Sequence, residues 1–295
     1  MAKITISGVS HSYDFTSPVA DSDAPVLVFL HGWLLSRCYW QPLVEQLRDR
    51  YRCLTYDLRG FGESQPEKTA SSTSGYTLAD YAQDLVTLLQ QLEIKKAWLI
   101  GHSLGGSIAL WGADLLPEHI DGVICLNAGG GIYLKEEFER FRSVGQKIVQ
   151  NRPGWLSYIP LMDWVFGQAM VARPLARSWG RQRLRDFLRA DSEAALGSLL
   201  ESTTESQVHL LPQIVARLEQ PVYFLAGMRD TVMEPKYVHH LASFHKLFQQ
   251  SRNNVIEIPD CGHLAMLEDT GQVLQQIEGI LKNHGVVQPV DASGG

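Results

Sequence analysis

Three residue types, far apart in the chain, could together break an acyl bond. Ser103 sits in Gly101-His102-Ser103-Leu104-Gly105, between an apolar run (97–100) and a segment of helical period (105–116). A serine hydroxyl attacks well only when it is lifted clear of the backbone. A tight strand-to-helix turn does this, in a strained conformation with little room for neighbouring Cβ atoms. Gly101 and Gly105 leave that room. The helix starting just after Ser103 aims free N–H groups and its positive dipole end at the same spot, where charge would develop on a bound carbonyl oxygen.

A serine needs a general base within hydrogen-bond reach, oriented in turn by a carboxylate. The apolar run 222–226 leads into Gly227-Met228-Arg229-Asp230, and the run 255–258 leads into Pro259-Asp260-Cys261-Gly262-His263. Asp230 and His263 therefore follow two further strands, and three strand ends at one edge of one sheet can converge. Asp260 and Glu234 are the nearest competing carboxylates; Asp260 is too close in sequence to His263 to come from a separate strand end. His31 is expected to order its own loop through the backbone, and His102 flanks the serine on the wrong side of the turn. His239, His240 and His245 fall on one expected helix (235–249) and read as a solvated face without metal-site spacing. Acyl transfer also needs two donors where the oxyanion forms, each worth roughly 3 kcal/mol. The backbone N–H of Leu104 is one candidate. The other is the N–H of Trp33, with Gly32 letting the loop turn inward, and Leu34 is the fallback.

The elements that must position these groups alternate. A hairpin around Gly8 (3–15) and a polar loop (17–24) precede Pro25 to Leu30, a continuous apolar run of the kind buried on both faces. Then come a helix capped by Ser36 (36–50), a strand (51–56), the turn Asp57-Leu58-Arg59-Gly60-Phe61-Gly62-Glu63-Ser64 and a helix opened by Thr77 and Asp80 as a capping box. In that turn Asp57 and Arg59 read as structural, with Arg59 pairing carboxylates or carbonyls. After the Ser103 turn a strand spans 122–127. Strand and helix in alternation predict an α/β fold with a mostly parallel, doubly wound sheet. The alternation stops after the glycines at 129–131. Residues 130–205 predict an inserted helical cap, and the core comprises 1–129 and 206–285. Within that second part a helix runs from Pro212 to Glu219, and residues 286–295 read as a disordered tail.

The segments HGWLLSRCYW (31–40), YDLRGFGES (56–64), GHSLGG (101–106), GMRD (227–230) and DCGHLAMLE (260–268) resemble the α/β-hydrolase superfamily over nearly the whole chain except the cap. The HGW segment is similar to that of arylesterases and cofactor-free perhydrolases. The resemblance implies Ser103, Asp230 and His263 as a triad, with Trp33 and Leu104 as oxyanion donors. His102 departs from those relatives, and GHSLGG is shared with lipases and thioesterases, so the subfamily stays open. Serine at 103 disfavours the similar dehalogenases and epoxide hydrolases.

With 295 residues, 45% hydrophobic, the chain can bury a large core, and a net charge of −6 argues against nucleic acid as a partner. The sequence shows no secretory leader or membrane-spanning run, so the expected location is cytoplasmic. Cys38, Cys53, Cys125 and Cys261 lack CxxC spacing and read as reduced thiols. In the cap, Arg173, Arg177, Arg181, Arg185 and Arg189 recur every four residues behind Pro174 as a basic stripe. It reads as a solvated face, with an anionic substrate group or a membrane surface as alternatives. Trp155, Tyr158, Trp164, Phe166 and Trp179 are expected to fill the cap's own core. Together these readings predict a serine esterase, monomeric or homodimeric, that cleaves a small or medium hydrophobic ester without cofactor or metal. Thioesterase, lipase, perhydrolase and carbon–carbon hydrolase chemistry, or a slow-turnover ligand sensor, are the alternatives.

Overall fold

Unbroken apolar strands imply a sheet covered on both faces. The computed structural model, which describes residues 1–16, 24–66, 75–130, 135–250 and 253–286, has that arrangement. The expected loop at 17–23, Gly131 and the tail from 287 onward lie outside the described residues. The strands are β1 (Ala2–Ile6), β2 (Val9–Phe15), β3 (Val26–Leu30), β4 (Arg52–Tyr56), β5 (Ala97–His102), β6 (Ile120–Leu126), β7 (Val222–Gly227) and β8 (Val255–Ile258). They form one sheet in the order β1-β2-β4-β3-β5-β6-β7-β8. From β4 to β8 all neighbours are parallel, and β2 joins antiparallel to β1 and β4.

The helices are α1 (Gln41–Leu47), α2 (Leu78–Gln91), α3 (Leu104–Leu115), α4 (Lys135–Gln150), α5 (Met162–Gln168), α6 (Arg177–Arg189), α7 (Ser192–Ser202), α8 (Glu205–Arg217), α9 (Pro235–Ala242), α10 (Lys246–Gln249), α11 (Ala265–Glu268) and α12 (Thr270–Asn283). The period-2 geometry of β3 divides its side chains between two cores. Val26, Val28 and Leu30 join the layer that holds Leu85 and Leu88 of α2 and Ile108 of α3. Leu27 and Phe29 join the layer that holds Trp40, Leu43 and, from α12, Ile277. Each such side chain contributes about 1.5–3 kcal/mol when fully buried, so the sheet is the rigid element of the molecule.

Register then fixes where the strands end. Leu30 lies opposite Tyr56 and Gly101, His102 opposite Leu126, and Gly227 opposite Ile258. The residues following these positions all emerge at one edge of the sheet. Between β6 and β7 the described residues hold α4 to α8 and no strand.

Several local expectations are corrected. Ser36 caps nothing; its hydroxyl donates to Asp186 (2.9 Å), and the chain makes a 3-10 turn (Arg37–Trp40) before α1. Helix α8 begins at Glu205, capped by Thr204, and contains Pro212 within it. The expected helix at 235–249 is two, because His245 is fully buried between α9 and α10, where its Nδ1 accepts from the Leu247 N–H (3.2 Å). The Thr77–Asp80 capping box is present as read, and the four cysteines are free.

Candidate active site

Ser103 links β5 to α3 with φ 52° and ψ −118°, a region in which non-glycine residues cost about 1–3 kcal/mol. Two features hold it there. Its N–H donates to Leu126 O on the neighbouring strand (3.0 Å). The flanking backbones also touch: a Cβ on Gly101 would lie 2.3 Å from Gly105 O, and one on Gly105 would lie 2.3 Å from Leu30 O. Both glycines are thus demanded by close approach.

The loop after β7 brings Asp230 to this edge and the loop after β8 brings His263. His263 Nδ1 is 2.8 Å from Asp230 Oδ2, and its Nε2 is 3.1 Å from Ser103 Oγ. An ionised carboxylate only accepts, so it holds the proton on Nδ1 and leaves Nε2 as the acceptor for the serine hydroxyl. Asp230 is buried, and burial alone would raise its pKa. The charge and hydrogen bond of His263 and the N–H groups of Met233 and Val232 outweigh burial and hold it below the usual carboxylate range. Asn127, at the end of β6 with φ 50°, donates to Asp230 Oδ2 (2.8 Å) and to Gly262 O (3.1 Å).

The His263 loop is held from two further sides. Its own N–H donates to Met170 O (2.8 Å), while its carbonyl accepts from His102 Nε2 (2.7 Å). Glu268 gathers four backbone N–H groups, from Gly262 (2.9 Å), Leu264 (3.0 Å), Ala172 (2.7 Å) and Arg173 (3.0 Å). One carboxylate thereby ties the His263 loop to the chain between α5 and α6. Asn127, Glu268 and this role of His102 were missed in the sequence. Glu268 lay inside the quoted DCGHLAMLE segment, but nothing in its spacing says that four amides converge on it.

The loop after β3 carries Trp33. His31 is fully buried: Nδ1 donates to Gly32 O (2.8 Å) and Nε2 accepts from the Leu58 N–H (2.9 Å), as its expected backbone role requires. Asp57 is equally structural, accepting from the Arg37 N–H (2.7 Å), the Glu63 N–H (2.8 Å) and the Arg37 guanidinium. Arg59 donates to Asp84 (2.9 Å). Gly32 makes room for this loop through close approach and not through an unusual backbone angle. Its φ is not in the left-handed region, which Leu34 occupies instead (φ 58°); a Cβ on Gly32 would meet His102 Nδ1 at 2.6 Å. The Trp33 indole donates to Ala195 O on α7 (2.9 Å). Among the described residues the backbone N–H groups of Trp33 and Leu104 have no acceptor, and both residues line the cavity that contains Ser103.

That cavity has a volume of about 430 Å³, and Leu35, Phe141, Ile148, Phe166, Phe187 and Leu199 make its walls mostly apolar. The basic stripe is not part of it. Arg173 pairs with Asp269, Arg177 and Arg181 with Asp163, and Arg189 with Glu63. The arginine that does reach the wall is Arg183, 4% exposed, which donates to Phe166 O (2.5 Å) and Ala169 O (2.6 Å) at the C-terminal end of α5. The aromatic reading is also corrected: Phe166 packs against Phe187 and Trp179 against Tyr39, but Trp155, Tyr158 and Trp164 are exposed. Among the described residues no cluster of His, Cys, Asp or Glu could hold a metal ion, and no helix is long and apolar enough to cross a membrane.

The family model for the alpha/beta hydrolase fold matches residues 25–270. The chain belongs to that family. It is 30% identical over 260 residues to 2-succinyl-6-hydroxy-2,4-cyclohexadiene-1-carboxylate synthase of Salmonella heidelberg, covering 88% of this chain and 94% of that protein. An esterase from Thermogutta terrifontis shares the fold with a TM-score of 0.73 at 23% identity, covering 96% of this chain and 99% of its own. A putative lipase from Acinetobacter baumannii does so with a TM-score of 0.78 at 20% identity, covering 97% and 92%.

Two expectations follow from these contacts. His102 is buried, and burial first, then the His263 charge, lowers its pKa from 6.5 to about 3. The folded state therefore keeps it neutral, and the stability this represents is lost as pH falls from 6.5 towards 3. In urea titrations across that window, His102→Gln should flatten the slope of stability against pH by up to one proton, about 1.4 kcal/mol per unit; an unchanged slope would show that His102 titrates normally. Glu268→Ala strands four N–H groups. At about 1–3 kcal/mol for each donor left unsatisfied, and less where water enters, the urea midpoint should fall by the equivalent of several kcal/mol; a loss under about 1 kcal/mol would count against the clamp.

Proposed function

We propose that this chain is a carboxylic ester hydrolase that works through an acyl-enzyme on Ser103. The observation that carries the reading is the His263 ring, hydrogen-bonded to both Ser103 Oγ and Asp230 at the wall of an apolar cavity. As Oγ attacks the ester carbonyl, its proton passes to His263 Nε2, and Asp230 stabilises the imidazolium that forms. The carbonyl oxygen becomes an oxyanion, met by the Trp33 and Leu104 N–H groups, which have no acceptor among the described residues. Collapse breaks the carbon–oxygen bond to the leaving alcohol, which takes the proton from Nε2. Water, deprotonated by the same imidazole, then attacks the acyl carbon and releases the acid and free Ser103. No step calls on a metal or cofactor.

In this reading residues 1–129 and 206–285 form the catalytic core and residues 130–205 a cap that selects the substrate. The cavity volume and its apolar wall suit a small or medium hydrophobic ester. A second reading keeps the same triad but acts on a substrate that is not an ester; the 2-succinyl-6-hydroxy-2,4-cyclohexadiene-1-carboxylate synthase relative favours it. The two differ in their substrates: the first requires multiple turnovers of p-nitrophenyl butyrate, and the second requires none.

Ser103→Ala is the direct test. It should abolish labelling by a fluorophosphonate probe and lower kcat/KM for p-nitrophenyl butyrate by about a thousandfold or more, with the fold intact by circular dichroism. Persistence of labelling and turnover in the variant would refute the assignment.

A further inference from the structure

Of the twelve exposed large hydrophobic side chains among the described residues, eight lie between positions 144 and 170. Four of them recur three residues apart across the 3-10 turn (Gly154–Tyr158) and the start of α5. They are Trp155 (60% exposed), Tyr158 (86%), Leu161 (61%) and Trp164 (54%). Three more, Ile148, Val165 and Met170, are both exposed and part of the cavity wall, so the apolar surface continues from the outside of the molecule towards Ser103. A monomer seldom leaves such a concentration to water unless something covers it.

Charge indicates what covers it. The chain carries −6 overall, yet residues 135–190 contain eleven Lys or Arg and only five Asp or Glu. The segment around the apolar surface therefore keeps a positive excess on an otherwise acidic protein, even with Arg173 and Arg189 paired to Asp269 and Glu63 outside it. Tryptophan and tyrosine beside an excess of arginine is the composition of surfaces that lie at the boundary between headgroups and acyl chains. A second copy of the chain is a poorer occupant: it would bring the same excess of positive charge against itself and would cover the apolar mouth of the cavity.

We propose that the face formed by Trp155, Tyr158, Leu161 and Trp164 docks on an anionic lipid surface. Arg177 and Arg181 on α6, exposed and sharing the single carboxylate of Asp163, meet the headgroups, and the aromatic side chains enter the acyl boundary. The docking rests on the surface alone. Its consequence, that the ester comes from the lipid phase with an aliphatic chain leading into the cavity, rests in addition on the esterase reading.

The test is co-sedimentation of the full chain with phosphatidylcholine vesicles, with and without phosphatidylglycerol. It is run on wild type, on Ser103→Ala, which needs no turnover to bind, and on the triple variant Trp155→Ser, Tyr158→Ser, Trp164→Ser. None of the three substituted residues lines the cavity, and all three are exposed, so the variant should fold and should turn over soluble p-nitrophenyl butyrate within about twofold of wild type. Wild type and Ser103→Ala should bind vesicles containing phosphatidylglycerol at least about tenfold more tightly than phosphatidylcholine alone, and the triple variant should lose that binding. Three outcomes would overturn the proposal. The wild type fails to sediment with either vesicle, the triple variant binds as well as wild type, or light scattering shows a wild-type dimer that the triple variant converts to monomer, which would make this face an interface between copies. If the docking fails while Ser103 is still labelled by a fluorophosphonate, the esterase reading stands without it.

Discussion

The site depends on one steric constraint, the near contact between the backbones of Leu30, Gly101 and Gly105. Only with Cβ atoms absent at 101 and 105 can α3 start this close to the ends of β3 and β5. That closeness forces Ser103 into a backbone conformation that L-residues avoid, with its hydroxyl lifted toward His263. The strain is tolerated because the parallel sheet on both sides is buried and rigid; Leu126 O receives the Ser103 N–H from the adjacent strand. A stable core and a strained residue are two parts of one arrangement.

The second requirement is that His263 hold still, and here the core does not suffice. Of the contacts on its loop, His102 and Asn127 come from strand ends, whereas Met170 O and the Ala172 and Arg173 N–H groups belong to the insert between β6 and β7. The Trp33 loop is similarly tied to α7 through its indole. The insert therefore does more than line the cavity: its hydrogen bonds hold the His263 loop and the loop that carries Trp33. Sequence changes in the insert can reach the chemistry through hydrogen bonds as well as through substrate contacts.

Much of this was legible in the residues because short, local signals specify it. Glycines flanking Ser103, apolar strands without alternation and a capping box at Thr77 are decided within a few positions of themselves. The Ser103, Asp230 and His263 grouping follows from strand ends sharing an edge. What was not legible depends on distant partners. Glu268 looks like any helix glutamate until four amides are seen to meet it, and His245 looks solvated until α9 is seen to end before it. The arginine stripe followed its period but not its pairing, since Asp163, Asp269 and Glu63 are brought to it by tertiary structure. The exposure of Trp155, Tyr158 and Trp164 could not be read from aromatic composition, which serves a small core and a docking face equally well.

The central claim is that Ser103 carries the acyl group between two half-reactions. Acid-quenched mass spectrometry of the protein mixed with p-nitrophenyl butyrate, followed by peptide mapping, tests it most directly. The expected result is one butyryl adduct on the peptide containing Ser103, which decays as substrate is exhausted. An adduct on any other residue, or turnover with no adduct on Ser103 in samples quenched within the first turnovers, would contradict it.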